Sequence, residues 1–389
     1  MRFLVVFSLC FSFLVSIIAQ DPVPGAARTE QYFPLLRGRS VAVVANATSM
    51  IGTTHLVDSL LRAGIHIVRI FAPEHGFRGT ADAGEEFSSS TDPQTNIPIV
   101  SLYGEKFKPS SKDLEGIDVM VFDIQDVGVR FFTYLSTLSY VMEACAGKHI
   151  PVLLLDRPNP NGFYVDGPVL EKKYRSFVGL HPVPIVYGMT IGEYARMING
   201  EGWLKKGIHC QLTVIPCLGY DHTWNGSLPV RPSPNLPSQR SVLLYPSVCL
   251  FEGTMMNVGR GTDFPFEVFG CPGFPVCEIQ YTPRSIPGMS KDPLHIGQEC
   301  CGVDLRNENL KELVQHRELV LDWLFLAYTR SVQKDSFFNS YFNTLAGTAS
   351  LKEQIIAGWS ATRIRKSWAG PLANFKVIRK KYLLYKDFE

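Results

Sequence analysis

Carboxylates and arginines directly follow several short apolar segments in the first half of the sequence. Glu74 stands in PEHGFRG, Asp123 and Asp126 stand in FDIQDVGVR, and Asp156 stands in LDRPNPN. Several carboxylates in turns that are rich in Gly and Pro are what general acid–base catalysis requires. For each single Asp, the alternative is a structural role as a helix N-cap or as half of a loop-fixing ion pair.

The apolar segments alternate with helical patterns, which predicts βαβ organisation. Predicted strands cover residues 40–46, 66–72, 97–103, 118–125 and 151–156, and predicted helices cover residues 54–64 and 132–147. Strands this apolar are typical of a parallel sheet that is covered on both faces. Ligands of such sheets bind beyond the carboxyl ends of the strands, so we expect the site among the polar residues that follow each strand. These residues are Asn46, Glu74, His75, Arg78, Asp123, Asp126, Arg130, Asp156, Asn159 and Asn161.

The pattern changes after residue 157. Residues 157–190 are rich in Pro, Gly and Asn, which indicates long loops, and a helix and a strand are predicted at residues 189–204 and 210–216. Prolines predict an irregular segment over residues 229–246, followed by a helix at residues 311–331 and a short basic terminal strand. The fold class is therefore α/β, with a Rossmann-like parallel-sheet domain and a second, smaller α+β domain.

The first 19 residues place one Arg before an apolar run that ends at Ala19, which is typical of a secretory signal peptide. A membrane anchor is the alternative, but the run is short for a span of roughly 20 residues and no stop-transfer signal follows. We expect a signal peptide at 1–19, a linker at 20–37, the N-terminal domain at 38–228 and the C-terminal domain at 229–389. The mature protein is then periplasmic or secreted, without stable membrane insertion.

Composition and missing motifs exclude several classes of function. A net charge of +2 without a concentrated basic patch argues against nucleic-acid binding. The nine cysteines form no CxxC pairs, so we expect one or two local disulfides or buried free thiols, and neither a metal site nor a cofactor. The sequence has no GxGxxG after the first strand, no convincing GxSxG, no HExxH and no Walker motif, which weakens nicotinamide, serine-hydrolase, zinc-protease and nucleotide-hydrolase interpretations.

Six segments carry a resemblance to a known family: FAPEHGFRG, FDIQDVGVRFFTYLSTLSYVMEA, LDRPNPNGFYVDGPVL, YGMTIGEYARMING, PSPNLPS and LYPSVCLFEGTMMNVGRGTDFPFEVFG. From about residue 38 to the C-terminus, the sequence resembles the exo-β-N-acetylmuramidases of the NamZ type. The resemblance implies a Rossmann-like domain joined to a smaller one, with a cleft between them for a terminal muramic acid. It also implies that Glu74 is the catalytic Glu.

The position of Glu74 agrees with that role, because a turn at a strand end can hold a carboxyl partly out of water as a proton donor requires. A glycosidase normally needs a second carboxylate, and the separation of the two decides between retention and inversion. Asp123 and Asp126 are the first candidates for this second carboxylate, and Asp156 is the next. The acetamido group of the substrate is the alternative to a protein nucleophile.

Muramic acid carries a lactyl carboxylate, which a planar guanidinium binds through two parallel hydrogen bonds. The candidate arginines are Arg78, Arg130 and Arg260, and for each the alternative is a loop-anchoring ion pair. The expected contacts to sugar hydroxyl and acetamido groups come from Asn46, His75, Asp156, Asn159, Asn161, Asn257 and Asp263. The segment GTMMNVGRGTDFPF would form the other wall of the cleft.

The sequence thus predicts an exo-acting glycoside hydrolase that releases β-1,4-linked N-acetylmuramic acid from the non-reducing ends of peptidoglycan fragments. Its partners would be muropeptides or amino-sugar disaccharides. A periplasmic sugar-binding protein without turnover is the alternative from another class, and an esterase or amidase on the same polymer is the enzymatic alternative. The missing nucleophile elbow and zinc motif count against the last of these.

Overall fold

The computed structural model describes residues 21–78 and 90–389. The predicted signal peptide at residues 1–19 lies outside this part of the chain. Most of the predicted linker is described and contains a 3-10 turn, Gly25–Ala27, and a helix, Thr29–Leu36. No helix within the described residues is both long enough and apolar enough to cross a bilayer.

The strands in chain order are β1 (Ser40–Ala45), β2 (Met50–Ile51), β3 (Thr54–His55), β4 (His66–Ala72), β5 (Ser90–Thr91), β6 (Pro98–Ser101), β7 (Val119–Asp123), β8 (Val152–Leu155), β9 (Leu212–Ile215), β10 (Val268–Cys271), β11 (Ile279–Tyr281) and β12 (Cys300–Asp304). Seven of them form one sheet in the order β5-β6-β4-β1-β7-β8-β9. All neighbours in it pair in parallel except β5, which pairs antiparallel with β6. The strand order reverses between β1 and β7, as in doubly wound folds, and the predicted α/β class is confirmed.

The apolar strands of this sheet are covered on both faces. Along β1, Val41 and Val43 pack into one hydrophobic cluster, whereas Ala42 and Val44 pack into the other. Successive side chains of a strand point to opposite faces, so a run without polar interruption supplies both cores at once. The α/β prediction from these segments rests on that property.

The helices in chain order are α1 (Thr29–Leu36), α2 (Leu56–Arg62), α3 (Tyr134–Ala146), α4 (Ile191–Gly200), α5 (Gln239–Val248), α6 (Leu310–His316), α7 (Asp322–Arg330), α8 (Phe342–Ala346), α9 (Ser350–Ile356) and α10 (Ala361–Lys380). Short 3-10 segments lie at Gly25–Ala27, Lys172–Tyr174, Lys205–Gly207, Cys249–Gly253 and Leu305–Asn307. The helices predicted at residues 54–64, 132–147 and 189–204 correspond to α2, α3 and α4 with shorter bounds.

Three predictions in the C-terminal half are wrong. The segment that prolines were expected to break contains α5, which includes Pro246. The helix expected at residues 311–331 is two helices, because Arg317 adopts a left-handed backbone conformation with φ 52° after α6. The basic terminal segment is the 20-residue helix α10 instead of a strand.

The second sheet is small and antiparallel, with the order β10-β12-β11. A disulfide joins Cys277 to Cys301 of β12, with 4.7 Å between the Cα atoms. Cys145, Cys210, Cys217, Cys249, Cys271 and Cys300 are buried free thiols. The expectation of a local disulfide together with buried free thiols is thus confirmed.

Candidate active site

Glu74 lies in a tight turn directly after β4. The Gly76 amide donates to the Pro73 carbonyl at 3.0 Å, and both His75 and Gly76 have a positive φ, of 70° and 74°. The turn leaves the Glu74 side chain half-buried. The hydroxyl of Thr133, the residue before α3, donates to Oε2 of Glu74 at 3.0 Å. One carboxyl oxygen therefore has a fixed donor from a second element.

Glu74 opens onto a cavity of about 280 Å³ that both halves of the chain line. The loops after β4 and β6 and the start of α3 supply one side of the cavity. The polar side chains around it belong to Glu74, His75, Tyr103, Thr133, Tyr134, Ser233, Asn235, Tyr245, Glu252, Arg260 and Tyr341, and the apolar ones include Phe131, Phe132, Phe177 and Phe266. An aromatic wall with a few convergent polar groups is the usual make-up of a small-ligand site.

His75 connects the Glu74 turn to the opposite side of the cavity. Its side chain is buried, and Nε2 lies 3.3 Å from the Ser233 hydroxyl. Asn235, two residues further on, donates its Nδ2 to the Met289 carbonyl at 2.6 Å. The PSPNLPS segment is thereby fixed between the N-terminal turn and a C-terminal loop.

Arg260 provides a cation on the cavity wall. Its Nε donates to Oε1 of Glu252 at 2.5 Å, and its guanidinium carbon lies 5.0 Å from the centre of the Phe266 ring. Burial by itself would lower the pKa of Arg260. The negative charge of Glu252 and its hydrogen bond to Arg260 together have the larger effect, so the pKa of Arg260 is raised. Within the described residues, Nη1 and Nη2 of Arg260 make no hydrogen bond, so both remain available to an anionic ligand.

Of the thirteen residues predicted for the site, Glu74, His75 and Arg260 line the cavity and the other ten do not. The ten are Asn46, Arg78, Asp123, Asp126, Arg130, Asp156, Asn159, Asn161, Asn257 and Asp263. Most of them fix the loops at the carboxyl ends of the strands. For the aspartates and arginines among them, the loop-fixing alternative considered above therefore describes their contacts.

Asp123 is fully buried and forms two hydrogen bonds with Arg157, from Nε at 2.6 Å and from Nη2 at 2.8 Å. Asp156 is also fully buried and accepts from the Gly192 amide at 2.8 Å and the Tyr385 hydroxyl at 2.5 Å. Burial raises the pKa of Asp156 to about 6. Neither carboxyl has a surface toward the cavity, so neither has the contacts of a second catalytic carboxylate.

Asp126 is buried behind the cavity wall. Its Oδ2 accepts from the Gly128 amide at 2.7 Å and from the Tyr187 hydroxyl, while Oδ1 has no hydrogen-bond partner among the described residues. Desolvation raises the pKa of Asp126 to about 6 despite these donors. The carboxyl is thus buried in the N-terminal core and does not line the cavity.

Arg130 is only 2% exposed. Its guanidinium donates to the carbonyls of Pro168 and Val183 at 2.9 Å and to that of Leu345 at 2.8 Å. Burial lowers the pKa of Arg130 to about 9. The structure therefore does not support Arg130 as the ligand of the lactyl carboxylate, because this buried guanidinium bonds to backbone carbonyls of two loops and of α8.

The other two charged candidates outside the cavity form ion pairs. Arg78 makes two hydrogen bonds to Asp92, at 3.0 and 2.9 Å. Asp263 is exposed and pairs with Arg284 at 2.7 Å. Both ion pairs anchor loops, and neither Arg78 nor Asp263 lines the cavity.

The four asparagines outside the cavity bond to backbone groups of their own or neighbouring loops. Asn46 accepts from the Thr48 amide at 2.9 Å, and Asn159 donates to the Met189 carbonyl at 2.7 Å. Asn161 bridges two carbonyls, and Asn257 accepts from the Gly259 amide at 2.6 Å. Asn257 acts indirectly on the site, since it shapes the turn that carries Arg260.

Sequence reasoning missed several residues of the cavity, above all Thr133, Tyr245 and Glu252. Glu252 lies in the 3-10 segment Cys249–Gly253, which α5 positions. It stands in the segment LFEGTMM, whose resemblance to a family was recognised without any role for its Glu. No group of three or more His, Cys, Asp or Glu side chains that could hold a metal ion is found in the described ranges.

The sequence matches the profile of the N-terminal domain of exo-β-N-acetylmuramidase NamZ over residues 41–240 and that of the C-terminal domain over residues 243–385. It is 38% identical over 378 residues to the peptidoglycan β-N-acetylmuramidase NamZ of Bacillus subtilis, covering 91% of this chain and 89% of that protein.

Two crystal structures of DUF1343 family proteins from Bacteroides fragilis are similar to this fold. The first has a TM-score of 0.88 at 45% sequence identity and covers 95% of this chain and 100% of that chain. The second has a TM-score of 0.74 at 28% identity and covers 94% of this chain and 99% of that chain. The two-domain arrangement therefore has counterparts along nearly the whole length.

Proposed function

The chain belongs to the NamZ family of exo-β-N-acetylmuramidases, and we propose that Glu74 and Arg260 are the acid and the specificity residue with which it releases N-acetylmuramic acid from peptidoglycan fragments. As a member of that family, it is a glycoside hydrolase. The observation that carries the assignment is that both side chains line one cavity with an aromatic wall.

Glu74 is the proton donor to the leaving glycosidic oxygen. Its Oε2 accepts the hydrogen bond from the Thr133 hydroxyl, which fixes the orientation of the carboxyl group at the cavity wall. Positioning of the acid within hydrogen-bond reach of the leaving oxygen comes before any tuning of its acidity. Thr133 is a positioning residue in this scheme, since it acts through Glu74.

Arg260 binds the lactyl carboxylate that distinguishes muramic acid from N-acetylglucosamine. Glu252 occupies Nε and Phe266 lies against the guanidinium, so Nη1 and Nη2 are the donors that remain for a carboxylate. A guanidinium held on one edge presents the other edge in a fixed plane, which favours a two-point contact. The lactyl group would thereby be recognised by charge and by geometry together.

The size of the cavity supports exo action on one terminal sugar. A volume of about 280 Å³ is just below the usual range for small-ligand pockets, which is roughly 300–1,000 Å³. Such a cavity suits a single amino sugar better than a stretch of glycan. The faces of Phe131, Phe132 and Tyr245 supply apolar surface for the sugar ring and its acetamido methyl.

The decisive experiment is hydrolysis of the disaccharide in which N-acetylmuramic acid is β-1,4-linked to N-acetylglucosamine. We expect release of free N-acetylmuramic acid, and about 10- to 150-fold slower cleavage of the matching chitobiose, which lacks the lactyl group. A sugar-binding protein would bind the disaccharide without turnover, and an esterase or amidase would leave its glycosidic bond intact. Either result would overturn the assignment.

We further propose that the chain is exported to the periplasm or secreted. The apolar run within residues 1–19 supports this proposal. The Cys277–Cys301 disulfide supports it as well, because disulfides form and persist mainly in oxidising compartments. Mass spectrometry of the protein from fractionated cells should find a mature chain that begins near residue 20. A chain in the cytoplasmic fraction that retains residues 1–19 would contradict export.

A further inference from the structure

A second concave surface of about 750 Å³ lies beside the cavity and is here called the basic groove. Its charged lining consists of Lys108, Lys172, Arg175, Lys205, Lys206 and Glu143. These residues come from the loop after β6, from α3, from the 3-10 segments Lys172–Tyr174 and Lys205–Gly207, and from the chain around residue 175. None of them was singled out by sequence analysis, because they are scattered over about a hundred residues.

The basic groove has a strong excess of positive charge. Glu143 accepts from the Lys108 ammonium at 2.7 Å and from the Lys205 backbone amide at 2.8 Å. Burial, and then the charge of Arg175, lower the pKa of the neighbouring His181 to about 3, so it adds no charge at neutral pH. Five cations and one carboxylate give this surface a larger net charge than the +2 of the whole chain.

Most of the positive charge is unpaired. Lys172, Arg175, Lys205 and Lys206 are exposed, and none forms a salt bridge with a carboxylate in the described part of the chain. Lysines on ordinary protein surfaces are usually interspersed with acidic residues. Four exposed cations around one concavity therefore indicate an anionic ligand.

Aromatic side chains line the same groove and connect it to the cavity. Trp203 is half-buried and its ring lies parallel to that of His181, with 5.9 Å between the centroids. The ring of Tyr140 lies parallel to that of Phe177, with 6.4 Å between the centroids and 9° between the planes. Since Phe177 lines the cavity and Tyr140 lines the groove, the two surfaces are neighbours.

We propose that the basic groove binds the leaving part of the glycan strand through the carboxylates of its first muramyl unit, an inference that rests on the proposed function. The strand alternates the two amino sugars, so the sugar next to the scissile bond is neutral and the one after it carries the lactyl carboxylate. That order of groups matches the order of surfaces: the cavity, the aromatic ring of Tyr140, and then the cations. Exposed ammonium and guanidinium groups pair with carboxylates, and aromatic faces pack on sugar rings.

The test compares two peptide-free substrates, the disaccharide and the tetrasaccharide that begins with the same N-acetylmuramic acid. The variant is the double charge reversal Lys172→Glu/Lys206→Glu, and the matched control is Lys311→Glu/Lys366→Glu, which makes the same change in net charge at exposed lysines outside both surfaces. We expect the groove variant to raise KM for the tetrasaccharide by about 5- to 10-fold at low salt, with kcat unchanged, as loss of two exposed ion pairs implies. The disaccharide kinetics should equal those of the wild type, and the difference should shrink at high ionic strength.

A third substrate decides which carboxylates are bound. This substrate is the tetrasaccharide whose internal muramyl unit carries a stem peptide. If the increase in KM already appears on the peptide-free tetrasaccharide, the groove binds the lactyl carboxylate. If it appears only on the peptide-bearing substrate, the groove binds the carboxylates of the peptide. An unchanged KM of the groove variant on both tetrasaccharides, or the same increase in the control variant, overturns the groove proposal. Release of N-acetylmuramic acid from the disaccharide would still leave the proposed function intact. Failure of the wild type to cleave the disaccharide would instead count against the proposed function.

Discussion

Arg260 donates its Nε to Oε1 of Glu252 at 2.5 Å, and each of these side chains is 25% exposed. The pair places a cation and a carboxylate on the wall of the cavity that holds Glu74. Since Glu252 occupies only one edge of the guanidinium, it fixes the plane of Arg260 without using the two terminal nitrogens. An ion pair of this kind orients a binding residue as well as stabilising a loop.

Replacing Arg260 with Met should remove the preference for muramides over glucosaminides. The lost charge-assisted pair is worth roughly 1.5–3 kcal/mol, which lowers kcat/KM on a chromogenic β-N-acetylmuramide by about 10- to 150-fold. The corresponding glucosaminide lacks the carboxylate, so its kcat/KM should change little. The ratio of the two values is the measurement.

Arg78→Met is the matched control for Arg260→Met, because Arg78 pairs with Asp92 outside the cavity. It should affect both sugars equally, if at all. Equal losses on both sugars in Arg260→Met would mark that residue as another loop anchor.

Glu252→Gln should keep the charge of Arg260 but weaken its orientation. Loss of one charged hydrogen-bond acceptor should raise KM for the muramide by about 3- to 10-fold with little change in kcat. Titration calorimetry with free N-acetylmuramic acid would show the same loss of affinity, and with N-acetylglucosamine it would show none. A large fall in kcat on both sugars would instead identify Glu252 as the second catalytic carboxylate.

Glu74→Gln should lower turnover by about 10²-fold or more on the natural disaccharide, since the amide retains the shape of the side chain but cannot donate a proton of suitable acidity. An activated aryl glycoside needs little protonation and should show a smaller loss. Thr133→Val, which removes the hydrogen bond to Oε2, should cost only about 3- to 10-fold. Near wild-type turnover of the disaccharide by Glu74→Gln would exclude it as the acid.

The sequence was sufficient for the central sheet and for the place of Glu74 at its carboxyl edge. β4 was predicted at the bounds that the structure gives, because a short run rich in Ile and Val favours a strand of a doubly covered sheet. The role of Glu74 as the acid was implied by the family resemblance and stays a prediction, whereas its place at the end of that strand was evident from the segment itself. These are local properties, which a single sequence displays directly.

The remaining roles depend on contacts between distant residues. Asp123 resembled a catalytic carboxylate until its two bonds to Arg157, 34 residues later, showed an internal ion pair. The guanidinium of Arg130 is stabilised by hydrogen bonds to carbonyls from as far along the chain as Leu345, and no spacing rule reveals such partners. Glu252 was missed because its only signal is its contact with Arg260, which the fold creates.

Asp126 should make stability fall as the pH rises. Desolvation raises the folded-state pKa of Asp126 from 3.8 to about 6, so the folded protein binds more protons than the unfolded chain between these values. Its contribution is fully present below pH 3.8 and is lost as pH approaches about 6. Asp126→Asn should therefore be at least as stable as the wild type at pH 7, and the difference between their unfolding free energies should vanish toward pH 4.

Asp123→Asn is the contrasting variant for that measurement, because it leaves buried Arg157 without its carboxylate and should cost about 3–5 kcal/mol. Urea unfolding at a series of pH values gives all the free energies required. A stability difference between Asp126→Asn and the wild type that does not change over this pH range would show that Asp126 titrates normally.

Asn161 should compensate for Pro246 within α5. Pro246 has no amide hydrogen to donate to the Val242 carbonyl one turn earlier, and Nδ2 of Asn161 donates to that carbonyl at 3.1 Å instead. Asn161→Ala should leave a buried carbonyl unsatisfied and cost roughly 1–3 kcal/mol of unfolding free energy. In the Pro246→Ala background the helix can supply its own donor, so the same substitution should cost less, and the double-mutant cycle should give a coupling of about 0.5–1.5 kcal/mol. Additive losses in the cycle would mean that Asn161 stabilises the fold only through its other bond, to the Val127 carbonyl at 2.9 Å.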